Sequence, residues 1–179
     1  FGDYIMASTL SVSKIQGLSS AASPTTVEIA SGHKITGGAG SISVPGTILQ
    51  AKHTFNPNAT VNVAITSTSF VALGVSLSIT PASTSNKILA IFSCPMYAGG
   101  GDHHILTLYR DSTNLGHATW GFGASSASII TVPTGSVLDS PNTTSSVTYA
   151  LYHRTNAGQT AYGIINSGKA CITLLEIAQ

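Results

Sequence analysis

The stretch that decides the fold is TSTSFVALGVSLSITPASTSNKILAIFS, residues 66–93. Lys87 is its one charged residue, which raises the question of a membrane span, since a spanning helix needs about 20 mostly apolar residues in a row. From Val71 to Ile79, however, apolar residues alternate with small or hydroxylated ones. A period of two places the two kinds of side chain on opposite faces of a β-strand. The sequence therefore predicts a strand with one apolar face, which ends at Pro81.

The same kind of sequence pattern continues to the C-terminus. Short apolar or alternating runs are separated by segments rich in Gly, Pro, Asn, Asp and Ser, the residues that favour turns. Strand runs at this regular spacing are typical of all-β sandwiches and jelly rolls. We predict that residues 47–179 form an antiparallel, jelly-roll-like β-sandwich head with essentially no helix. Its strands are expected at residues 47–55, 61–66, 69–79, 87–95, 104–110, 115–122, 128–138, 146–154, 159–166 and 170–178.

The region before this head has a different composition. Residues 7–46 carry isolated aliphatic side chains among Ser, Thr, Gly and Ala, without Phe, Tyr or Trp. One such chain cannot bury enough apolar surface to offset its ordering entropy, whereas several copies wound together could. We therefore predict an extended N-terminal β stalk or attachment arm in a homotrimer, with a flexible linker as the alternative. Residues 1–6 are set apart as a leader or an artificial extension, in which residues 1–5 precede a natural start at Met6. The predicted interface residues are Ile15, Val27, Ile29, Ile35 and Ile42.

The composition narrows the classes of function. Charged residues make up 7% of the chain, against about 25% in a typical soluble domain, and such a chain has little charge repulsion to keep it monomeric. The net charge is +1 and the basic residues are scattered, so nucleic-acid binding is not expected. Membrane insertion is not expected either, and no signal peptide is visible at the N-terminus. Cys94 and Cys171 lie in apolar runs, which favours two buried thiols over a disulfide.

Catalytic chemistry has little support in the sequence. The chain has six carboxylates, and no two of them form a recognisable acid pair of the kind that glycosidases use. Glu176 belongs to the last strand and is expected to face solvent. There is no G-x-S-x-G nucleophile elbow and no phosphate- or dinucleotide-binding glycine pattern. We therefore predict that the protein is not an enzyme and has no cofactor.

Polar and aromatic side chains concentrate in two segments, residues 97–104 and 115–123. Sugars are held by ring stacking and a few hydrogen bonds, and a hairpin over residues 104–122 would bring the two segments to one edge of the sandwich. This arrangement predicts one glycan-binding patch. Two alternatives are that Trp120 packs in the core, and that the adjacent histidines bind a metal or lie in an ordinary polar loop. The patch residues are Tyr97, Asp102, His103, His104, His117 and Trp120.

Several segments resemble structural proteins of tailed bacteriophages of marine and freshwater bacteria, which are usually labelled tail fibre or tail-fibre-like. The resembling segments are MASTLSVSKIQG, SGHKITG, VPGTILQ, residues 66–93, LYRDSTNLG, LDSPNTTSSVTYALYHR and ITLLEIAQ. The resemblance implies a virion component with an N-terminal attachment region and a trimeric all-β head that touches the host surface. It brings no catalytic residues that map onto this chain.

The sequence thus leads to a ranked set of functions. The first is a non-enzymatic bacteriophage structural protein, a tail fibre or knob used for host attachment. The second is a capsid decoration protein that stabilises the shell, and the third is a polysaccharide depolymerase. The expected partners are two further copies of the chain, other tail or capsid proteins bound through the N-terminal arm, and a host surface glycan. The expected location is the virion, assembled in the host cytoplasm.

Overall fold

The computed structural model describes residue 31 and residues 44–56, 62–126 and 128–179. The chain divides into two compact units, residues 1–37 and residues 38–179. All described residues except residue 31 belong to the second unit, and the fold given below is that of the second unit. The predicted leader and nearly all of the predicted arm lie outside the described residues. So do the predicted interface residues Ile15, Val27, Ile29, Ile35 and Ile42.

The described residues form thirteen β-strands and one turn of 3-10 helix, Ile165–Ser167, and they contain no α-helix. None of them belongs to a helix that is long and apolar enough to cross a membrane. The strands are β1 Ile48–Phe55, β2 Val63–Ile65, β3 Val71–Ile79, β4 Lys87–Ser93, β5 Met96–Ala98, β6 His103–Arg110, β7 Thr113–Asn114, β8 Gly123–Ser126, β9 Ile130–Thr131, β10 Thr134–Asp139, β11 Val147–Thr155, β12 Ala161–Gly163 and β13 Cys171–Ile177.

Two antiparallel sheets form the sandwich. The first has the strand order β1-β13-β4-β10, and the second has the order β3-β11-β6-β7, with β8 also paired to β6. The chain passes repeatedly from one sheet to the other, and both sheets combine strands from its beginning and its end. This is the strand order of a jelly roll. The predicted fold class, an all-β antiparallel sandwich of jelly-roll type, is confirmed.

A third, smaller sheet has the order β2-β12-β5-β9. Its strands β2 and β5 immediately precede β3 and β6, and β12 immediately follows β11. The antiparallel pairings place the start of β3, the start of β6 and the end of β11 at the same end of the second sheet. The small sheet therefore lies at that end of the strands, where the candidate site described below is also found.

The core lies between the two large sheets and follows from the alternation seen in the sequence. In β3, Leu73, Val75 and Ile79 are buried while the small residues between them are exposed. Gly74 has φ +86 where the register of β3 against β11 shifts, which marks a β-bulge. The core cluster is Leu73, Val75, Ile79, Ile88, Ala90, Phe92, Cys94, Met96, Leu106, Leu108, Val147, Tyr149, Leu151, Ile164, Ala170, Ile172 and Leu174.

The predicted strand at residues 115–122 is wrong. These residues form a tight loop with one bridge between His117 and Gly121. Gly121 has φ +54, and a Cβ atom there would clash with the backbone carbonyl of Leu106. Glycine has no Cβ atom and readily adopts a positive φ, so it meets both conditions. The backbone at Gly121 therefore approaches β6 more closely than a residue with a side chain would allow. The predicted strand at 128–138 is also divided into β9 and β10, while β5 and β8 lie between the predicted strands.

The expectation that Glu176 faces solvent is also wrong, because its side chain is completely buried. The alternation that turns Ile172 and Leu174 inward in β13 turns Glu176 inward as well. Its carboxylate accepts hydrogen bonds from Gln50 Nε2 (2.5 Å), Asn86 Nδ2 (2.6 Å) and the backbone N–H of Ala82 (2.7 Å). Burial alone would raise the pKa of Glu176, but these donors outweigh it and leave the pKa below its ordinary value.

Both cysteines are free thiols, as predicted, although only Cys94 is fully buried. Burial is the main reason that the pKa of Cys94 rises to about 12. Cys171 is half-buried, and its Sγ lies 3.2 Å from Ser93 Oγ.

Candidate functional site

Trp120 and His103 form an aromatic pair at the surface of the head. His103 is the first residue of β6, and Trp120 lies in the loop that replaces the predicted strand at residues 115–122. Their ring centroids are 5.4 Å apart and the rings are nearly perpendicular, at 80°. Trp120 is 45% exposed, so it is not a core tryptophan. An exposed ring of this size offers a face on which an apolar ligand surface can stack.

The loop itself holds Trp120 outward. The backbone groups of His117 and Gly121 form two hydrogen bonds of 3.1 and 2.9 Å. Within the turn, Nδ1 of His117 accepts hydrogen bonds from the backbone N–H groups of Thr119 and Trp120, both at 3.1 Å. The ring of His117 therefore shapes the loop that presents Trp120.

Asp102 is not available to a ligand, which corrects its place in the predicted patch. Its side chain is buried, and its carboxylate accepts hydrogen bonds from the backbone N–H groups of His103 (2.6 Å), Ala157 (2.9 Å) and Gln159 (3.2 Å). Burial raises the pKa of Asp102, but these backbone donors dominate and leave the pKa below its ordinary value. Through these hydrogen bonds the carboxylate links the start of β6 to the loop that follows β11.

His104 is also removed from the predicted patch. Adjacent strand residues point to opposite faces, so His104 turns inward while His103 turns outward. His104 is fully buried and its Nε2 lies 2.9 Å from Nδ1 of His153, which is also buried. In the described part of the molecule, Nδ1 of His104 is buried without a hydrogen-bond partner.

Burial is the main cause of low pKa values in this histidine pair. It lowers the pKa of His104 to about 4, against smaller opposing effects of the Tyr97 backbone and the Asp102 carboxylate. Burial, with a smaller contribution from the charge of a protonated His104, lowers the pKa of His153 to about 3. Both rings are thus neutral at physiological pH, and one N–H is shared between them.

Tyr97 lies in the small sheet and is half-buried. Its ring faces that of Tyr162 across a centroid distance of 6.4 Å, with an interplanar angle of 39°. Of the six predicted patch residues, the structure brings His103, His117 and Trp120 to one surface. It places Asp102 and His104 in buried hydrogen-bonded positions.

A pocket of about 310 Å³ lies beside Trp120, between the loop that precedes β3 and the loop that carries Trp120. At its base is Arg154 in β11, which is only 8% exposed. The guanidinium lies over the ring of Phe70, with its Cζ 5.5 Å from the ring centroid, which is a cation–π geometry. The lining residues are Thr68, Ser69, Phe70, Ala118, Thr119 and Arg154.

An aromatic surface continues from this pocket across the second sheet. Phe70 is 6.2 Å from Tyr109 in an edge-to-face arrangement, and Tyr109 stacks on Tyr152 at 4.1 Å. The sequence reasoning missed this surface and the pocket. The signal was present, since the alternation that buries Tyr149 and Leu151 in β11 also places Tyr152 and Arg154 together on the opposite face.

Four carboxylates lie in the described residues, and each accepts hydrogen bonds within the head. Asp139 is held by Arg110 Nη1, at 2.7 Å from both oxygens, and by the Tyr149 hydroxyl at 2.6 Å. Asp102 and Glu176 are each fixed by their own amide donors. Among the described residues there is also no group of three or more His, Cys, Asp or Glu placed to hold a metal ion. The exposed ring of Trp120 and the pocket beside its loop offer groups for stacking and hydrogen bonding.

Comparison with known proteins finds a distant structural similarity. No protein-family model matches the chain, and no curated protein matches it. Among solved structures, it is similar to the infectious bursal disease virus VP2 subviral particle, with a TM-score of 0.43 and 10% sequence identity. The match covers 74% of this chain and 34% of that chain, so this chain spans about a third of the viral protein. A likeness this distant carries no argument about function.

Proposed function

We propose that this chain is a non-enzymatic structural protein of a bacteriophage virion and that its head contacts the host surface as part of a tail fibre or knob. The observation that carries the proposal is the exposed ring of Trp120, held outward by its own loop beside an open pocket. The sequence resemblance to tail-fibre-like proteins and the very low charge of the chain support the same function. The ligand that fits this surface is a glycan, since ring stacking is a common way to hold sugars.

Decoration of the capsid shell is the second candidate, because the first sheet exposes apolar side chains such as Ile91 and Leu138, which suit packing against other proteins. Imaging of particles labelled with an antibody to this chain distinguishes the two. Label on the tail or its fibres supports host attachment, whereas label spread over the capsid lattice supports decoration. A polysaccharide depolymerase is the third candidate, and release of reducing sugar from host envelope polysaccharide would establish it.

Trp120→Ala is expected to weaken glycan or host-cell binding at least tenfold while the melting temperature changes by no more than about 2 °C. The ring is 45% exposed, so truncation removes little buried surface, whereas a core aromatic would cost about 3–5 kcal/mol. Cell-binding assays and calorimetry provide the two measurements. Phe92→Ala, which truncates a buried ring, is the control for a structural effect. A large drop in melting temperature for Trp120→Ala would contradict the glycan-platform proposal.

The proposed homotrimer has support in the described head. Strand pairing aligns Leu138, Leu89, Leu175 and Ala51 in one row across the outer face of the first sheet, and Leu138 is 52% exposed. Contiguous exposed apolar surface marks interaction sites. A second copy of the chain is a fitting occupant, because a chain with so little charge does not repel its copies. We call this row, with Ile48, Ile91 and Ile177 beside it, the apolar face.

Light scattering of the full chain is expected to give three times the chain mass of 18.2 kDa. Leu138→Asp places a charge on the apolar face and is expected to shift the population towards smaller species. Ser76→Asp, which changes an exposed position on the other large sheet, should leave the mass unchanged. A monomer mass for the unmodified chain would refute the trimer, and an unaltered mass for Leu138→Asp would remove the apolar face from the interface.

A further inference from the structure

Arg154 is a buried cation that has no carboxylate partner in the described part of the chain. Among the described residues the one ion pair is Arg110–Asp139, and the other carboxylates accept hydrogen bonds from amide groups. Burying a charged group is costly, and buried arginines are normally paired. Arg154 nevertheless lies at the base of an open pocket with its positive charge uncompensated.

Backbone carbonyls hold the guanidinium in place without neutralising it. Nε and Nη2 donate to the carbonyl of Thr119 at 3.0 and 2.7 Å. Nη1 donates to the carbonyls of Thr68 (2.8 Å) and Thr155 (3.3 Å). A guanidinium has five N–H donors, so these four contacts leave one N–H on Nη2 together with the full charge. A rigid, pre-positioned cation of this kind favours a bound anion.

We propose that this pocket binds the carboxylate of an acidic sugar, with Arg154 as the anion-binding residue. The inference rests on the proposed host-glycan function and names the class of sugar. One cation matches one carboxylate, and Phe70, whose ring lies beside the guanidinium, also lines the pocket. Thr68, Ser69 and Thr119 bring hydroxyl groups to the pocket wall. The volume of about 310 Å³ is at the lower end of the range for small-ligand pockets, which suits one sugar residue.

The carboxylate can come from two kinds of sugar, a hexuronic acid or a sialic acid, so both are used as probes. The full chain is titrated with glucuronate, with N-acetylneuraminate and with glucose as the neutral control, at constant ionic strength. The Nε–H signal of Arg154 is followed by NMR. One acid, or both, should shift that signal with a dissociation constant at least about tenfold lower than that of glucose, which corresponds to about 1.4 kcal/mol.

Ser69→Asp tests the role of charge without removing Arg154, which joins two loops and whose loss would disturb the fold. The side chain of Ser69 is exposed at the pocket wall, and its described hydrogen bonds are made by its backbone. The new carboxylate supplies the missing counter-charge and should weaken binding of the acidic sugar at least about tenfold. The matched control Ser69→Asn has the same shape without the charge and should retain binding.

Three results would overturn the inference: equal affinity for glucose and the acids, equal binding by the Asp and Asn variants, or a shift produced as strongly by inorganic phosphate. Host-cell binding by the unmodified chain separates this inference from the proposed function. Cell binding that depends on Trp120 but is insensitive to Ser69→Asp would overturn the acidic-sugar assignment alone. Acid binding at Arg154 by a chain that binds no host cells would support the pocket assignment and contradict the host-attachment function.

Discussion

Replacing Glu176 by alanine is expected to destabilise the head by about 4 kcal/mol. The carboxylate is completely buried and satisfies the donors of Gln50, Asn86 and Ala82. Truncation removes this acceptor from all three donors, of which Asn86 is buried and Gln50 keeps a second bond to the Thr80 carbonyl. A buried unsatisfied group costs about 1–3 kcal/mol, and loss of the charged acceptor and of its packing adds to this. The total is a large part of the 5–15 kcal/mol that stabilises a typical domain. Chemical denaturation at pH 7 measures the loss as a lower transition midpoint.

Two variants separate the role of burial from the loss of a charge. Glu176→Gln keeps one acceptor oxygen and the side-chain shape, so it is expected to lose less than half as much stability as Glu176→Ala. Asp111→Ala removes an exposed carboxylate that accepts a single backbone hydrogen bond, from Thr148 at 2.9 Å, and is expected to cost about 1 kcal/mol. Equal midpoints for Glu176→Ala and Asp111→Ala would mean that water replaces the buried carboxylate at little cost.

Glu176 also illustrates how far the sequence predicts this fold. Period-two alternation identified β3, β4, β11 and β13 because each buries one face between the sheets. The same alternation placed Glu176 on the inner face, but a carboxylate is ordinarily assigned to solvent. Its donors come from residues as far as 126 positions away in sequence. Such partners become visible only when the topology is known.

The candidate site was predicted only in part, for a related reason. Alternation established that His103 and His104 point to opposite faces, but it did not establish which of them turns inward. The loop around Trp120 depends on Gly121, whose close approach to Leu106 is a tertiary contact without a local sequence signal. The pocket at Arg154 joins residues from the loops before β3 and after β7 with one from β11. No short segment of sequence contains that combination.

The head is expected to lose about 4 kcal/mol of stability between pH 7.5 and pH 5 because of the buried pair His104 and His153. Each ring has an ordinary pKa of 6.5, and burial lowers the folded-state pKa to about 4 for His104 and about 3 for His153. Between these values the unfolded chain binds protons that the folded head does not, so stability falls as the pH falls below 6.5. At pH 5, about 1.5 pKa units below 6.5, this amounts to about 2 kcal/mol for each ring.

Urea denaturation at pH 7.5, 6 and 5 measures this dependence. The buried carboxylates contribute little to the change between pH 7.5 and pH 5. The folded-state pKa values of Asp102 and Glu176 are lowered, so their stabilising effect is lost only as the pH falls below their ordinary pKa values of 3.8 and 4.5. In the double variant His104→Gln/His153→Gln the stability difference between pH 7.5 and pH 5 should fall below about 1 kcal/mol, because the glutamine side chains do not bind protons in this pH range. The control His53→Gln replaces an exposed histidine and should leave the slope unchanged.

The position of the pair connects this pH dependence with the proposed ligand-binding surface. His104 follows His103 in β6, His153 precedes Arg154 in β11, and the two strands pair directly at these residues. Protonating either ring places a charge in the interior of the head beside His103 and Arg154, so the local structure around the pocket should open before the rest of the head. Hydrogen exchange at pH 5 is therefore expected to be faster in residues 103–106 and 152–155 than in β4 and β13. Uniform exchange across these strands, or a flat stability profile from pH 7.5 to pH 5, would show that the pair is protonated without disturbing the fold.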